Sequence, residues 1–263
     1  MKSRSYYIAV ICLGLSALAF SIYLIPNAKE ESLMYFHAKR YDEAKAKFEQ
    51  LYNSGDRSLS VTMPMIWLQL HYADEDKAIE ILENYIAQNP QDKAALEYLG
   101  TLYLDANRPY DYLINLESLY TLDPRGEILR KQEQLYSQFG QVEERIKVLQ
   151  DLVEKKQATI LEYRDLSYLL ASQGKMQQAS LVADKLLRDI SIREYDPETV
   201  NFLIGLFADL GEKKKAEIVA LKYVETHRDI TNTIKVISFL ARKKMFDQAL
   251  NVLGSLSPEE QNL

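Results

Sequence analysis

A fixed period constrains this chain more than any other feature. Ala44, Ala78, Tyr112, Arg145, Ala179, Ala216 and Ala249 recur at spacings of 34, 34, 33, 34, 37 and 33 residues. Pro90 and Pro124 repeat the 34-residue step from a separate landmark. Apolar residues follow the landmarks at helical spacing, as in Ala44-x3-Phe48-x2-Leu51, Ala78-x3-Leu82-x2-Tyr85 and Ala179-x3-Ala183-x2-Leu186. A repeat of this length holds two short helices and a turn. One such unit cannot bury its own apolar stripe, so its neighbours must stack on it. Composition agrees: with 9 Gly and 7 Pro in 263 residues and many strong helix formers, an all-α chain is expected.

The third unit carries the fullest pattern. It holds Leu96-x2-Leu99-Gly100-x2-Tyr103, then Tyr112-x3-Leu116-x2-Leu119, then Leu122-Asp123-Pro124. This resembles the tetratricopeptide (TPR) repeat, whose first helix reads L-x2-L-G-x2-Y and whose second ends at a proline. Tyr112 departs from it, standing where the family usually has alanine. The resemblance covers about Glu30 to Pro258. It implies a right-handed α-solenoid of about seven TPR helix hairpins, with a concave groove lined by the first helix of each hairpin. It also implies recognition of protein partners, without naming one. Gly100 is expected to let its two helices approach closely. Only Ser257–Leu263 follows the last unit, so no separate capping helix is expected, and either the seventh unit is itself the cap or a partner covers it.

The N-terminus has a different character. Lys2 and Arg4 precede Tyr6–Ile25, 20 residues without a charge, closed by Pro26-Asn27. As a helix this run would be about 30 Å long, enough to cross a hydrocarbon core. Ala17-Leu18-Ala19 offers a signal-peptide cleavage site as the alternative. The apolar run continues through Phe20, Ile22, Tyr23, Leu24 and Ile25, which favours an uncleaved transmembrane helix. Cys12, the one cysteine, follows bulky Ile11 and makes a poor lipidation site. The expected organisation is an anchor over residues 1–27 and a TPR solenoid over 28–263. The short basic N-tail places the body outside the cytoplasm, periplasmic in a bacterium with the anchor in the inner membrane. Lys29, Lys39, Arg40 and Lys45 after the span weaken that charge bias.

Chemistry is hard to find. A net charge of −6 argues against a nucleic-acid partner, which needs a basic face. There is no H-E-x-x-H, G-x-S-x-G, P-loop or G-x-G-x-x-G pattern. His37 and His71 occupy equivalent places in adjacent units, about 10 Å or more apart, too far to share an ion. Glu212-Lys213-Lys214-Lys215 reads as a solvated turn between helices. Acidic pairs such as Asp42-Glu43 and Glu143-Glu144 open second helices, where they suit the helix dipole. No catalytic residue, metal or cofactor is expected.

Helical spacing selects the residues a partner would meet. Phe36, Met63, Trp67 and Leu70 give an aromatic, apolar stretch in the first two units. Arg130 and Gln134 in the fourth unit, and Arg164 and Tyr168 in the fifth, give a more polar one. Trp, Tyr and Arg are the usual hot spots of interfaces. Trp67 has an alternative role in packing. The basic-and-asparagine set with which some family members grip a C-terminal carboxylate is not matched. The expected function is a membrane-anchored adaptor in a cell-envelope assembly, with exopolysaccharide synthesis or export as the first choice by analogy. The alternatives are a module that binds polysaccharide directly and a periplasmic chaperone linked to translocation or cytochrome maturation.

Overall fold

The computed structural model describes residue 13 and residues 26–227 and 229–255. The expected anchor, Tyr6–Ile25, lies outside the described residues except for Leu13. No helix among the described residues is long and apolar enough to cross a membrane.

The described residues form helices, one 3-10 turn and no strand. The chain divides into two compact units, 1–122 and 123–263. The first holds α1 (Ala28–His37), α2 (Tyr41–Asn53), α3 (Leu59–His71), α4 (Glu75–Gln88), α5 (Lys93–Asp105) and α6 (Pro109–Leu122). The second holds α7 (Gly126–Gln138), α8 (Val142–Glu154), α9 (Ile160–Ser172), α10 (Met176–Asp189), α11 (Pro197–Asp209), α12 (Lys213–His227), α13 (Ile230–Arg242) and α14 (Phe246–Gly254). Within each unit, odd and even helices pair as hairpins, and neighbouring hairpins pack on one another.

Each hairpin turns in the same way. Lys39, Ala73, Asn107, Gly140, Gly174, Gly211 and Lys244 all take positive φ, between 53° and 75°. The next residue's amide donates back to a carbonyl five residues earlier, as in Arg40 N to Tyr35 O (2.9 Å), Asp74 N to Gln69 O (2.8 Å) and Glu212 N to Phe207 O (2.7 Å). This left-handed cap satisfies carbonyls that the helix end would otherwise orphan. Every one of these residues stands five before a landmark of the sequence period, so the period is the spacing of the turns.

Side-chain caps start several helices. Asn27 and Glu30 form a capping box at α1, and Thr159 and Glu162 form another at α9. Asp74, Asp92, Asp196 and Asp229 cap α4, α5, α11 and α13. Pro64 sits inside α3, where its ring removes one amide donor from the ladder.

The landmark residues are where the second helix of each hairpin enters the core. Ala44, Ala78, Ala179 and Ala216 are fully buried, and Tyr112 and Ala249 nearly so. Arg145 is half-buried instead, and its guanidinium pairs with Glu133 of α7 and Asp165 of α9. At this landmark the fourth hairpin thus ties its own two helices together and joins the next hairpin by charge, where five others bury an alanine and the third buries Tyr112. The run Glu212–Lys215 follows the Gly211 turn with Lys213 and Lys214 exposed, but its lysines belong to the helix rather than to the turn. Its three lysines form the first turn of α12, and Lys215 reaches Asp184 (2.8 Å) and Glu212 (2.9 Å). Those carboxylates offset a charge that the helix N-terminus disfavours.

Candidate functional site

The second unit contains a cleft on the face of its first helices. Tyr168 of α9, Asn201, Phe202 and Gly205 of α11, and Phe239 of α13 are among its walls, and its volume is ≈ 510 Å³. Gly205 opens it: a methyl group there would meet Phe239 Cζ at 3.4 Å and Lys243 Cε at 3.6 Å. The absent side chain lets the Phe239 ring lie against the α11 backbone. At the rim Lys243 Nζ pairs with Asp209, at 2.8 and 3.0 Å to its two oxygens. Tyr168 projects beside the cleft, 65 % exposed. Asn201 Oδ1 is buried and accepts no hydrogen bond. A buried acceptor left without a donor costs about 1–3 kcal/mol, and Asn201 carries this one at the wall of the cleft.

Tyr168 was expected in the groove and stands at this cleft. Phe202 and Phe239 were missed. The signal for Phe239 was present, since it lies 34 residues after Gly205 in the period. A small residue in one repeat facing a large one in the next marks a close approach.

The two arginines expected to meet a partner are occupied. Arg130 of α7 grips Glu162 of α9 through Nε (2.7 Å) and Nη2 (3.2 Å), and Nη2 also donates to Gln157 O (2.6 Å). Glu162 in turn accepts from Thr159 N (2.6 Å) in the α9 capping box. Burial pushes the Glu162 carboxyl up, but Arg130 and Thr159 outweigh it and hold the group below its ordinary value. Arg164 of α9 approaches Thr199 Oγ1 (3.4 Å), Glu198 (3.8 Å) and Asp196 (4.0 Å), all at the start of α11. Both arginines therefore join the first helices of consecutive hairpins. Gln134 is exposed on α7.

In the first unit, Trp67 lies at the centre of an aromatic cluster. His71 stacks on it (5.0 Å between centroids, 9° between planes), Phe36 meets it edge-on (5.1 Å) and Tyr41 lies tilted against it (4.9 Å). These contacts join α1 and α2 to α3, and they leave Trp67 40 % exposed. Met63 is exposed one turn away and Leu70 is half-buried. Trp67 thus both packs between hairpins and shows part of its ring to solvent. His71 is engaged with Trp67, Tyr41 and Tyr72, and no cluster of metal-ligating side chains occurs among the described residues.

Several buried tyrosines are anchored by their hydroxyls. Tyr85 donates to Asp92 (2.9 Å), Tyr103 to Glu83 (2.7 Å) and Tyr163 to Asp189 (2.7 Å). Burial pushes the phenols of Tyr103 and Tyr163 up, and the carboxylate partners push them further.

No protein-family model matches the chain, and no curated sequence matches it. Solved structures do resemble it. The complex titled Naa15/Naa10 bound to HypK-THB contains a chain that aligns over 87 % of this one at 11 % identity, with a TM-score of 0.52. This chain spans only 36 % of that protein's length. The C-terminal part of a TPR repeat-containing protein from Cytophaga hutchinsonii aligns over 89 % of this chain and 98 % of its own, at 12 % identity and a TM-score of 0.45. PilF of Pseudomonas aeruginosa aligns over 82 % and 96 %, at 12 % identity and a TM-score of 0.39. At these identities the likeness concerns fold alone.

Proposed function

We propose that this protein is an adaptor that holds a segment of a partner protein in the first-helix cleft of its second unit. The observation that carries this reading is the unsatisfied Asn201 oxygen beside Tyr168 and Phe239. On binding, the Asn201 side chain turns toward the cleft it lines, where its Oδ1 accepts from a backbone amide of the partner, and an apolar side chain of the partner fills the space beside the Tyr168 and Phe239 rings. Burying such a side chain contributes about 1.5–3 kcal/mol. No bond is made or broken. The uncharged run Tyr6–Ile25 tethers the protein to the inner membrane with its body in the periplasm, which raises the local concentration of the partner there. The setting is a cell-envelope assembly, exopolysaccharide synthesis or export before others, a choice made by analogy.

Aromatic faces stack on sugars, so a polysaccharide ligand would need Trp67 and Tyr168 as platforms, and His71 covers a face of Trp67. Tyr168 alone still favours such a ligand.

A photo-crosslinking residue in place of Tyr168, in the full-length protein in its own membranes, tests the proposal. A discrete polypeptide adduct, lost when Asn201→Leu is added, is expected. Crosslinks to glycan alone would sink the adaptor reading.

A further inference from the structure

The one long step in the repeat, from Ala179 to Ala216, leaves a second cavity on the opposite helices of the same unit. Its floor is Leu187, Ile190, Ile192, Ile218 and Val219, and its volume is ≈ 520 Å³. The extra residues of the connection form a 3-10 turn, Ile192–Glu194, that packs on α12. Tyr195, 3 % exposed, fixes that wall by donating to Leu186 O (2.9 Å) and lying 3.2 Å from Ile190 O. The cavity is therefore built by ordered backbone rather than by loose side chains. It shares no residue with the Tyr168 cleft.

Its charge is one-sided. Asp184 is the only acid in the lining, and Lys215 neutralises it at 2.8 Å. Arg188 and Lys222 also line the cavity, and neither forms an ion pair among the described residues. An aliphatic floor beside two uncompensated cations matches a ligand that joins an aliphatic group to carboxylates. Ile218 stays 44 % exposed, so the trough is open along one flank. A free fatty chain would leave that flank wet. A polypeptide lays its side chain in the trough and covers the flank with its own backbone.

We propose that this cavity is a second docking site, separate from the cleft, for an acidic, leucine-bearing segment of a partner protein. The leucine side chain occupies the floor, and flanking glutamates face Arg188 and Lys222.

The test uses the full-length protein and three fluorescein-labelled synthetic peptides with blocked ends. One carries a leucine pair flanked by glutamates, the second has lysines for the glutamates, and the third has alanines for the leucines. Anisotropy should show saturable binding of the first alone. Arg188→Glu with Lys222→Glu should weaken it by about tenfold or more, equivalent to about 1.4 kcal/mol, and should create binding of the lysine peptide. Lys222→Glu alone should give a smaller shift in the same direction. Lys131→Glu, the same charge change on exposed α7, should change nothing. Circular dichroism checks that each variant is folded. Equal binding of all three peptides, no saturable binding of the first, or indifference to the charge reversals would overturn the proposal. So would saturable binding of a fluorescent dodecanoate, lost in Arg188→Glu with Lys222→Glu, to a cavity that takes no peptide.

Discussion

Gly100 and the ring of Tyr112 compete for one space: a methyl group on Gly100 would stand 3.0 Å from Tyr112 Cε2 and 3.0 Å from Asn115 Nδ2. The neighbouring Asn115 uses that amide to reach Leu96 O at 3.0 Å. Three groups of the third hairpin are therefore fitted around one missing side chain. Gly100→Ala should destabilise the protein by about 1–3 kcal/mol through overpacking, less up to ~1 kcal/mol for alanine's better helix propensity. Tyr112→Ala places here the residue found at five of the other six landmarks and clears the space. Urea unfolding of the two single variants and the double should therefore show coupling, with Gly100→Ala close to neutral or stabilising in the Tyr112→Ala background. Additive effects would mean that the contact does not govern the approach of α5 and α6.

The turns supply a prediction of opposite sign. Ala73 holds φ 57° at the cap where three other hairpins have glycine. An alanine there carries left-handed strain that glycine avoids, against glycine's larger loss of chain entropy. Ala73→Gly should raise stability by about 0.5–1 kcal/mol. A rise in the urea midpoint with an unchanged slope would show it, and a fall would mean that the turn tolerates a β-carbon without strain.

The same residues explain what the sequence could disclose. The landmark positions marked the hairpins because burial at Ala44, Ala78, Ala179 and Ala216 admits only a small side chain, and burial leaves a pattern. Gly100 was legible for the same reason. The role of Arg130 was not, since nothing in its own neighbourhood reveals that Glu162, 32 residues on, faces it one hairpin later. The first-helix face was likewise read one helix at a time. That procedure finds Tyr168 and overlooks Phe239, whose place in the cleft depends on the glycine of the preceding hairpin. That arginine is a usual interface hot spot does not separate a cation open to a partner from one spent on the next repeat.

Glu162 links stability to pH. Its carboxyl is held below its ordinary value in the folded protein, with Arg130 and Thr159 overcoming burial. Its contribution is therefore fully present above the unfolded glutamate value, about 4.3, and is lost as pH falls through the lower folded value. Glu162→Gln removes the ion pair and weakens the capping box. It should cost about 1–2 kcal/mol at neutral pH and flatten the decline of stability below pH of about 4. Denaturant titrations at a series of pH values check both parts. A variant whose acid profile parallels the parent's would assign the pH dependence to other carboxylates.

Trp67 offers the sharpest test of how the first hairpin is held. Its ring touches Phe36 of α1, Tyr41 of α2 and His71 on its own helix. Truncation to alanine removes the aromatic bridge between the first two hairpins but not the Phe48, Val61 and Leu68 core beneath, which is fully buried. A fully buried tryptophan would cost about 3–5 kcal/mol on truncation to alanine, and the exposed share of this ring should bring the loss nearer 2. The loss should be local. Hydrogen exchange should quicken in α1 and in the amides of the Lys39 turn while α9 to α14 keep their protection. Trp67→Phe should recover most of it, because a phenyl ring can still meet Phe36 and Tyr41. Unchanged protection of α1 in Trp67→Ala would show that the cluster serves only the exposed surface. Loss of protection throughout the second unit would show that the hairpins do not fail one by one.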